Sequence, residues 1–333
     1  MWALVDDPIF LKHRCHEPHR ENPMRLIGLG AAVTEALGEP TRLPVRPATE
    51  AELRAGHTAE YIELVRRSSR EHGWLDADTY LCPDSCEVAS HAVGAAIDAA
   101  RCVASGAADG AVCLIRPPGH HAEPSRGMGF CIFNNVGVAA RVALEAGWVR
   151  RVAVVDFDVH HGNGTQAMLW EEPRALFVSI HQWGIYPLTG PAHEVGGPGA
   201  EGTHINVPLP RGAGDADYLA VIARVVVPML SRFGPELVLV SAGYDAAAAD
   251  PLGGARLTPR GFAAMAAALR EVAPRPVLCL EGGYDPPALK ACLTAQVRVW
   301  AGRDAGPRTL EGEPSHAAAS VIAVVREIHG IET

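Results

Sequence analysis

An excess of basic residues is missing from this chain. Over 333 residues, 29 Lys plus Arg stand against 38 Asp plus Glu, a formal net charge of −9. Nucleic acid and anionic membrane surfaces are therefore not expected partners, because neither polyanion would be drawn to it. Long hydrophobic runs are missing too. No stretch reaches the roughly 18–20 uninterrupted apolar residues of a spanning helix, and the candidate around Val221 is broken by Arg224 and Pro228. The first residues, Met-Trp-Ala-Leu-Val-Asp-Asp-Pro, lack the basic-then-apolar order of a signal peptide, so a cytoplasmic location is expected. The eight cysteines, at 15, 82, 86, 102, 113, 131, 279 and 292, are scattered, with one CxxxC at Cys82 and Cys86. That spacing argues against a disulfide scaffold and suits a reducing compartment. No Pro/Gly/Ser-rich linker divides the chain, so residues 1–333 are expected to form one domain. The oligomeric state is not legible, and a homo-oligomer stays open.

With 48% hydrophobic and 20% charged residues, the composition is that of an ordinary globular protein. Five short apolar runs, Ala111–Ile115, Arg151–Val155, Ala175–Ile180, Glu236–Val240 and Pro276–Leu280, each break into a polar or glycine-rich loop. Most are apolar at nearly every position, as expected of parallel strands buried on both faces. Helical patterns lie between and after them: Glu87–Ser105, Asn134–Ala146, Asp215–Arg232 (where Pro228 should bend or end the helix), Gly261–Val272 and Pro286–Trp300. Thr258-Pro259 reads as an N-cap followed by the first helical position. Residues 197–202 read as a surface loop, and 302–315 as a loose segment before a last helix. Strands alternating with helices specify an α/β fold, a parallel sheet flanked by helices on both faces.

In such sheets ligands bind outside the carboxyl ends of the strands. Four of the five runs place unusual residues there: Arg116-Pro-Pro-Gly-His120-His121, Asp156-Phe-Asp158-Val-His160-His161-Gly-Asn163, Tyr244-Asp245 and Gly282-Gly283-Tyr284. Asp158 and His160, two residues apart in an extended segment, share one side of the backbone. With Asp245 they offer two carboxylates and one imidazole to a divalent ion and leave coordination positions open, a catalytic rather than structural arrangement. The plainer alternative has Asp158 capping the next helix and His160 as a satisfied core histidine. A tandem His pair beside a metal suits proton transfer, and Asp156 and Asn163 are different acceptors able to separate the two imidazoles. Tyr284, behind two glycines, could donate to an oxyanion or simply be a core-edge tyrosine.

Together RPPGHHA, GFCIFNN, DFDVHHGNGTQ, VSIH, ELVLVSAGYDA, DPLGG and LEGGYD, spread from about His13 to Trp300, resemble the histone deacetylase and acetylpolyamine amidohydrolase superfamily, most of all class II deacetylases and their bacterial relatives. The resemblance implies the arginase–deacetylase fold. It implies one catalytic zinc on Asp158, His160 and Asp245, with His121 as general base backed by Asn163. His120 becomes an electrostatic partner hydrogen-bonded to Asp156, and Tyr284 rather than the look-alike Tyr244 polarises the substrate carbonyl, leaving Asp285 a bystander. A structural potassium ion is implied among Asp156, Asp158, His160, Ser179 and Ile180. The acyl-lysine tunnel would be lined by Gly129, Phe130 and Tyr186, with Leu252 at the rim and Asp78 aligned with a rim residue that meets the substrate backbone or amine. A solvated loop aspartate is the other reading of Asp78.

The expected function is zinc-dependent removal of acetyl or other acyl groups from N-acylated amines, acetyl-lysine first. Acetylpolyamines and small N-acetyl metabolites are the alternative substrates. An acid at the position of Leu252 marks acetylpolyamine-selective relatives, and this chain lacks it. An arginase-like ureohydrolase is disfavoured, since Gly162 stands where a dimetal Asp-x-His-x-Asp pattern needs an aspartate. A non-catalytic acyl-lysine-binding module is disfavoured because no ligand, tandem histidine or Tyr284 has been lost.

Overall fold

The computed structural model describes residues 1–307, 309–310 and 312–332. Arg308 and Glu311 of the 302–315 segment, and Thr333, lie outside the described residues. Eight strands form one wholly parallel sheet, and two more form a small antiparallel hairpin. In chain order they are β1 Ala3–Val5, β2 Thr41–Arg42, β3 Gly73–Trp74, β4 Tyr80–Leu81, β5 Ala111–Cys113, β6 Val152–Asp156, β7 Ala175–Gln182, β8 His204–Leu209, β9 Leu237–Ala242 and β10 Pro276–Leu280. The hairpin is β3 with β4, and the sheet order is β2-β1-β5-β10-β9-β6-β7-β8. The two last strands in sequence, β9 and β10, are therefore inserted between β5 and β6.

All five expected strands are present, though β5 stops at Cys113 and β7 runs on to Gln182. They are buried at every position, so both faces must be covered. The strands not expected lie toward the margins of the sheet. β8 carries Pro208 and the polar residues His204 and Asn206, tolerated because it is an edge strand with one ladder to satisfy. β1 and β2 are too short to leave a pattern.

Among the helices, α1 spans Leu29–Leu37, α2 Glu50–Arg54, α3 Ala59–Ser68, α4 Ser85–Ala104 and α5 Asn135–Glu145. Helices α4 and α5 pack together against β5, β6, β9 and β10. The small residues of α4, from Ala89 to Ala100, are almost all buried, which lets the helix approach the sheet closely. Next come α6 Asn163–Leu169, α7 Asp215–Val221, α8 Val227–Phe233, α9 Pro259–Leu269, α10 Pro286–Trp300 and α11 His316–His329. A second row runs α1, α10, α9, α7. Thr258 caps α9 by accepting from Gly261 N at 3.3 Å, and Asp285 caps α10 by accepting from Ala288 N at 2.9 Å.

Pro228 does not end its helix. A π turn over Ile222–Val226 joins α7 to α8, with Val227 N–H donating to Ile222 O. The extra residue absorbs the missing donor and the ring clash that proline brings to a helix interior. Among the described residues, no helix is long and apolar enough to cross a membrane.

Candidate active site and metal centre

Strands β5, β10, β9 and β6 are neighbours in the sheet, and their carboxyl ends supply the four motifs. Strand β6 ends in Asp156 and turns into a loop held by its own carboxylates. Asp158 N donates to Asp156 Oδ1 at 3.1 Å, and His160 N donates to Asp158 Oδ1 at 2.9 Å. Asp158 Oδ2 accepts from Gly282 N at 2.9 Å, and Asp245 Oδ1 accepts from Val159 N at 2.9 Å, so each loop is stitched to another. A Cβ on Gly282 would lie 2.1 Å from Asp245 Oδ2, so only glycine fits there.

Ligand atoms of Asp158, His160 and Asp245 all lie within 4.8 Å of one another. His160 turns Nδ1 toward both carboxylates, 3.0 Å from Asp158 Oδ1 and 3.2 Å from Asp245 Oδ2. Both acids are buried, and among the described residues their ion-pair partners are all histidines. Burial pushes the His160 imidazole down, but Asp158 and Asp245 outweigh it and hold it up at about 10. Burial and the neighbouring Asp158 push Asp245 up to about 7. A buried pocket with surplus negative charge and one converging imidazole is a donor set that fits a divalent cation.

The two tandem histidines are pushed apart. His120 Nδ1 lies 2.9 Å from Asp156 Oδ2, and its ring centroid is 4.0 Å from that of His121. Burial works against the His120 cation, yet Asp158 and Asp156 raise it to about 10. His121 faces a neutral acceptor, Asn163 Oδ1 at 2.8 Å. Burial, His120 and His160 together hold it well below the ordinary imidazole range. Their surroundings thus push the two imidazoles in opposite directions, His120 toward the cation and His121 toward the free base.

Tyr284 stands across the same cavity, its ring edge-on to Phe130 at 5.6 Å and 4.7 Å below the Arg25 guanidinium. Burial raises its phenol well above the usual range, which keeps the O–H as a donor. Tyr244 goes the other way: fully buried, it donates to Gln296 Oε1 at 2.7 Å inside the core. Asp285 has a structural task, the α10 cap.

A cavity of about 250 Å³ leads down to these groups. Its walls include Gly129, Phe130, Tyr186, Leu252 and Asp78, together with Pro118 and Ile185, which sequence reasoning did not single out. Gly129 has φ +56°, and a Cβ there would lie 2.5 Å from His121 Cδ2 and 2.8 Å from Tyr186 Cε1. Asp78 Oδ1 is buried without a hydrogen-bond partner among the described residues. Burial first, then Asp76, pushes that carboxyl up to about 6. Behind the site, Asp156 and Ser179 are register partners across β6 and β7, and Ser179 Oγ lies 2.9 Å from His181 Nδ1.

Three more residues belong to the site and were not anticipated. Asp250 Oδ2 accepts from Tyr284 N at 2.5 Å while Oδ1 accepts from Leu252 N at 3.0 Å. Glu281 accepts from Gly119 N at 2.6 Å and His120 N at 3.2 Å, setting the tandem-histidine loop on β10. Arg25 Nε donates to Gly283 O at 2.7 Å, and its Nη1 meets Glu21 at 3.1 Å. Asp250 and Glu281 lie inside the DPLGG and LEGGYD stretches and could have been weighed there. Arg25 gave no signal, being one arginine in a segment without pattern.

This geometry agrees with three comparisons. A family model, the histone deacetylase domain, matches residues 19–300. Histone deacetylase 15 of Arabidopsis thaliana is 40% identical over 297 residues, covering 86% of this chain and 54% of that protein. A histone deacetylase-like amidohydrolase of Pseudomonas aeruginosa is 39% identical over 295 residues, 85% of this chain and 77% of that one. The crystal structure of the HDA15 HD domain superposes with a TM-score of 0.91 at 36% identity, covering 98% of this chain and 94% of that chain. The chain belongs to the histone deacetylase family and has the arginase–deacetylase fold. It spans about half the length of the Arabidopsis relatives it matches, 54% of one and 48% of another.

Proposed function

We propose that this chain is a zinc-dependent hydrolase that cleaves the amide of N-acylated amines, with acetyl-lysine as its first substrate class. The observation carrying this reading is that Asp158, His160 and Asp245 converge beside one cavity, which His160 lines together with His121 and Tyr284. A divalent cation held by those three ligands would supply Lewis acidity, polarising the acyl carbonyl and acidifying water. His121 takes the proton of the attacking water through Nε2 while Asn163 holds its Nδ1. Tyr284 donates to the carbonyl oxygen as that atom gains charge, and the His120 cation beside it adds positive potential. When the C–N bond breaks, His121 returns its proton to the amine nitrogen; acetate and free amine leave. The aromatic walls of Phe130 and Tyr186 suit a thin alkyl stem.

The residues around Asp156, Asp158, His160, Ser179 and Ile180 are proposed to hold potassium, an ion whose charge would offset the buried Asp156. A melting temperature that rises with potassium but not with tetramethylammonium would support it. Asp78, with its unpaired carboxylate oxygen at the rim, favours a second reading in which the substrate is an acetylpolyamine bearing a further ammonium. A panel of acetyl-lysine peptides, acetylpolyamines and free N-acetyl compounds compared by kcat/KM decides between them. Turnover of none would overturn the hydrolase reading.

A further inference from the structure

Asn163 has two ends of similar shape, and the end that faces His121 decides where that ring carries its hydrogen. Asn163 Oδ1 lies 2.8 Å from His121 Nδ1. An amide oxygen can only accept, so Nδ1 bears the hydrogen and Nε2 keeps its lone pair for the tunnel. Were the amide turned round, its NH₂ would face Nδ1, the hydrogen would sit on Nε2, and the ring could not accept a proton there.

On its far side Asn163 Nδ2 donates to Glu123 Oε1 at 2.8 Å, with weaker approaches to Met128 Sδ at 3.4 Å and His121 O at 3.5 Å. A carboxylate also only accepts. It is compatible with the NH₂ of Asn163 and repels the amide oxygen, so it admits one of the two orientations. Glu123 is itself placed firmly. It closes a reverse turn with Arg126, its N–H donating to Arg126 O at 2.8 Å, and its carbonyl meets buried His57 Nδ1 at 3.1 Å. Its half-buried side chain and Asn163 both line a second cavity of about 410 Å³, outside the acyl tunnel.

We propose that Glu123 is a positioning residue for the reaction: it locks the Asn163 amide, and through it the His121 tautomer that leaves Nε2 free. The claim rests on the reading of His121 as general base. The base and its remote orienter thus lie two residues apart on the loop after β5, bridged by Asn163 from the first turn of α6.

The test compares zinc-loaded wild type with E123A, E123Q, N163D and the double variant E123Q/N163D on an acetyl-lysine peptide. E123A should lower kcat about tenfold, the lower end for a lost outer partner of a site, with KM within about twofold. E123Q, which can still accept from Asn163, should retain most of the rate. In the N163D background the sign should invert. There two carboxylates confront each other, and E123Q, able to donate, should raise kcat above that of N163D alone. A role in folding alone would give E123Q the same sign in both backgrounds, and that result overturns the proposal. Nitrogen-15 NMR of histidine-labelled protein reads the tautomer without turnover, with the His121 signal assigned by its loss in His121→Ala. Wild type should show a protonated Nδ1 and an unprotonated Nε2, and E123A a mixture. An unchanged spectrum in E123A overturns the proposal. If wild type cleaves no acyl amine, the hydrolase reading fails, and the spectrum still decides the positioning claim.

Discussion

Asp250 receives the backbone N–H of Tyr284 at 2.5 Å, so the residue proposed to polarise the carbonyl is held by a carboxylate from a different loop. The same side chain also holds Leu252 N, which ties together two residues that line the cavity, Leu252 and Tyr284. Asp250→Ala should lower kcat about 10- to 100-fold with a smaller change in KM, as for a lost outer partner. Tyr284→Phe should cost about 10²–10³ in kcat, the scale of one oxyanion donor. Steady-state kinetics on an acetyl-lysine peptide checks both. A wild-type kcat for Asp250→Ala would mean that Tyr284 is held without it.

Three protein ligands leave no redundancy at the metal centre. Asp245→Ala should lose bound metal and activity together, as should removal of the ion by a chelator, with activity returning on addition of zinc. Metal analysis of the purified variant is the direct check. A full complement of metal in Asp245→Ala would dismiss the ligand assignment.

His57 makes stability depend on pH. It is 3% exposed, accepts from Asn134 N through Nε2 at 2.9 Å and meets Glu123 O through Nδ1 at 3.1 Å, a pairing that requires the neutral ring. Burial, partly opposed by hydrogen bonds to the backbone carbonyls of Pro124 and Glu123, lowers it from 6.5 to about 4. Between those values the unfolded chain binds the extra proton, so this residue's contribution falls as the pH falls. The loss should reach roughly 3 kcal/mol by about pH 4. Urea melts of wild type and His57→Gln across that window should converge on acidification. Parallel curves would show that His57 does not titrate there.

Leu252 and Asp78 both line the cavity, one apolar and one acidic. An ammonium beside Leu252 gains no paired charge and loses water, whereas the apolar stem of acetyl-lysine loses nothing. Acetyl-lysine peptides should therefore exceed acetylspermidine in kcat/KM, and Leu252→Glu should shift the ratio toward the polyamine. A strong wild-type preference for acetylpolyamine, abolished by Asp78→Asn and insensitive to Leu252→Glu, would reverse the assignment.

Local chemistry determined much of this protein before any tertiary contact. The buried strands β6, β7, β9 and β10 are apolar at most positions, and such runs hold their strands against both helical layers wherever they fall in the sheet. Thr258 announces its helix because capping is settled within one turn of chain. Asp158 and His160 share a face because they are two residues apart. Edge strands such as β8 were not legible, since a strand satisfied on one side tolerates Pro208 and polar residues.

Only the tertiary structure decided which of these motifs meet. Insertion of β9 and β10 between β5 and β6 brings Asp245 to Asp158 and His160 from far along the chain. The look-alike ends Ser241–Asp245 and Glu281–Asp285 leave neighbouring strands, yet Tyr244 turns into the core and Tyr284 into the cavity. Glu123, Asp250, Glu281 and Arg25 acquire their partners by hydrogen bonds between loops that no local pattern encodes. A carboxylate or guanidinium in a loop reads the same whether it faces water or a catalytic side chain, and burial in the folded sheet makes the difference.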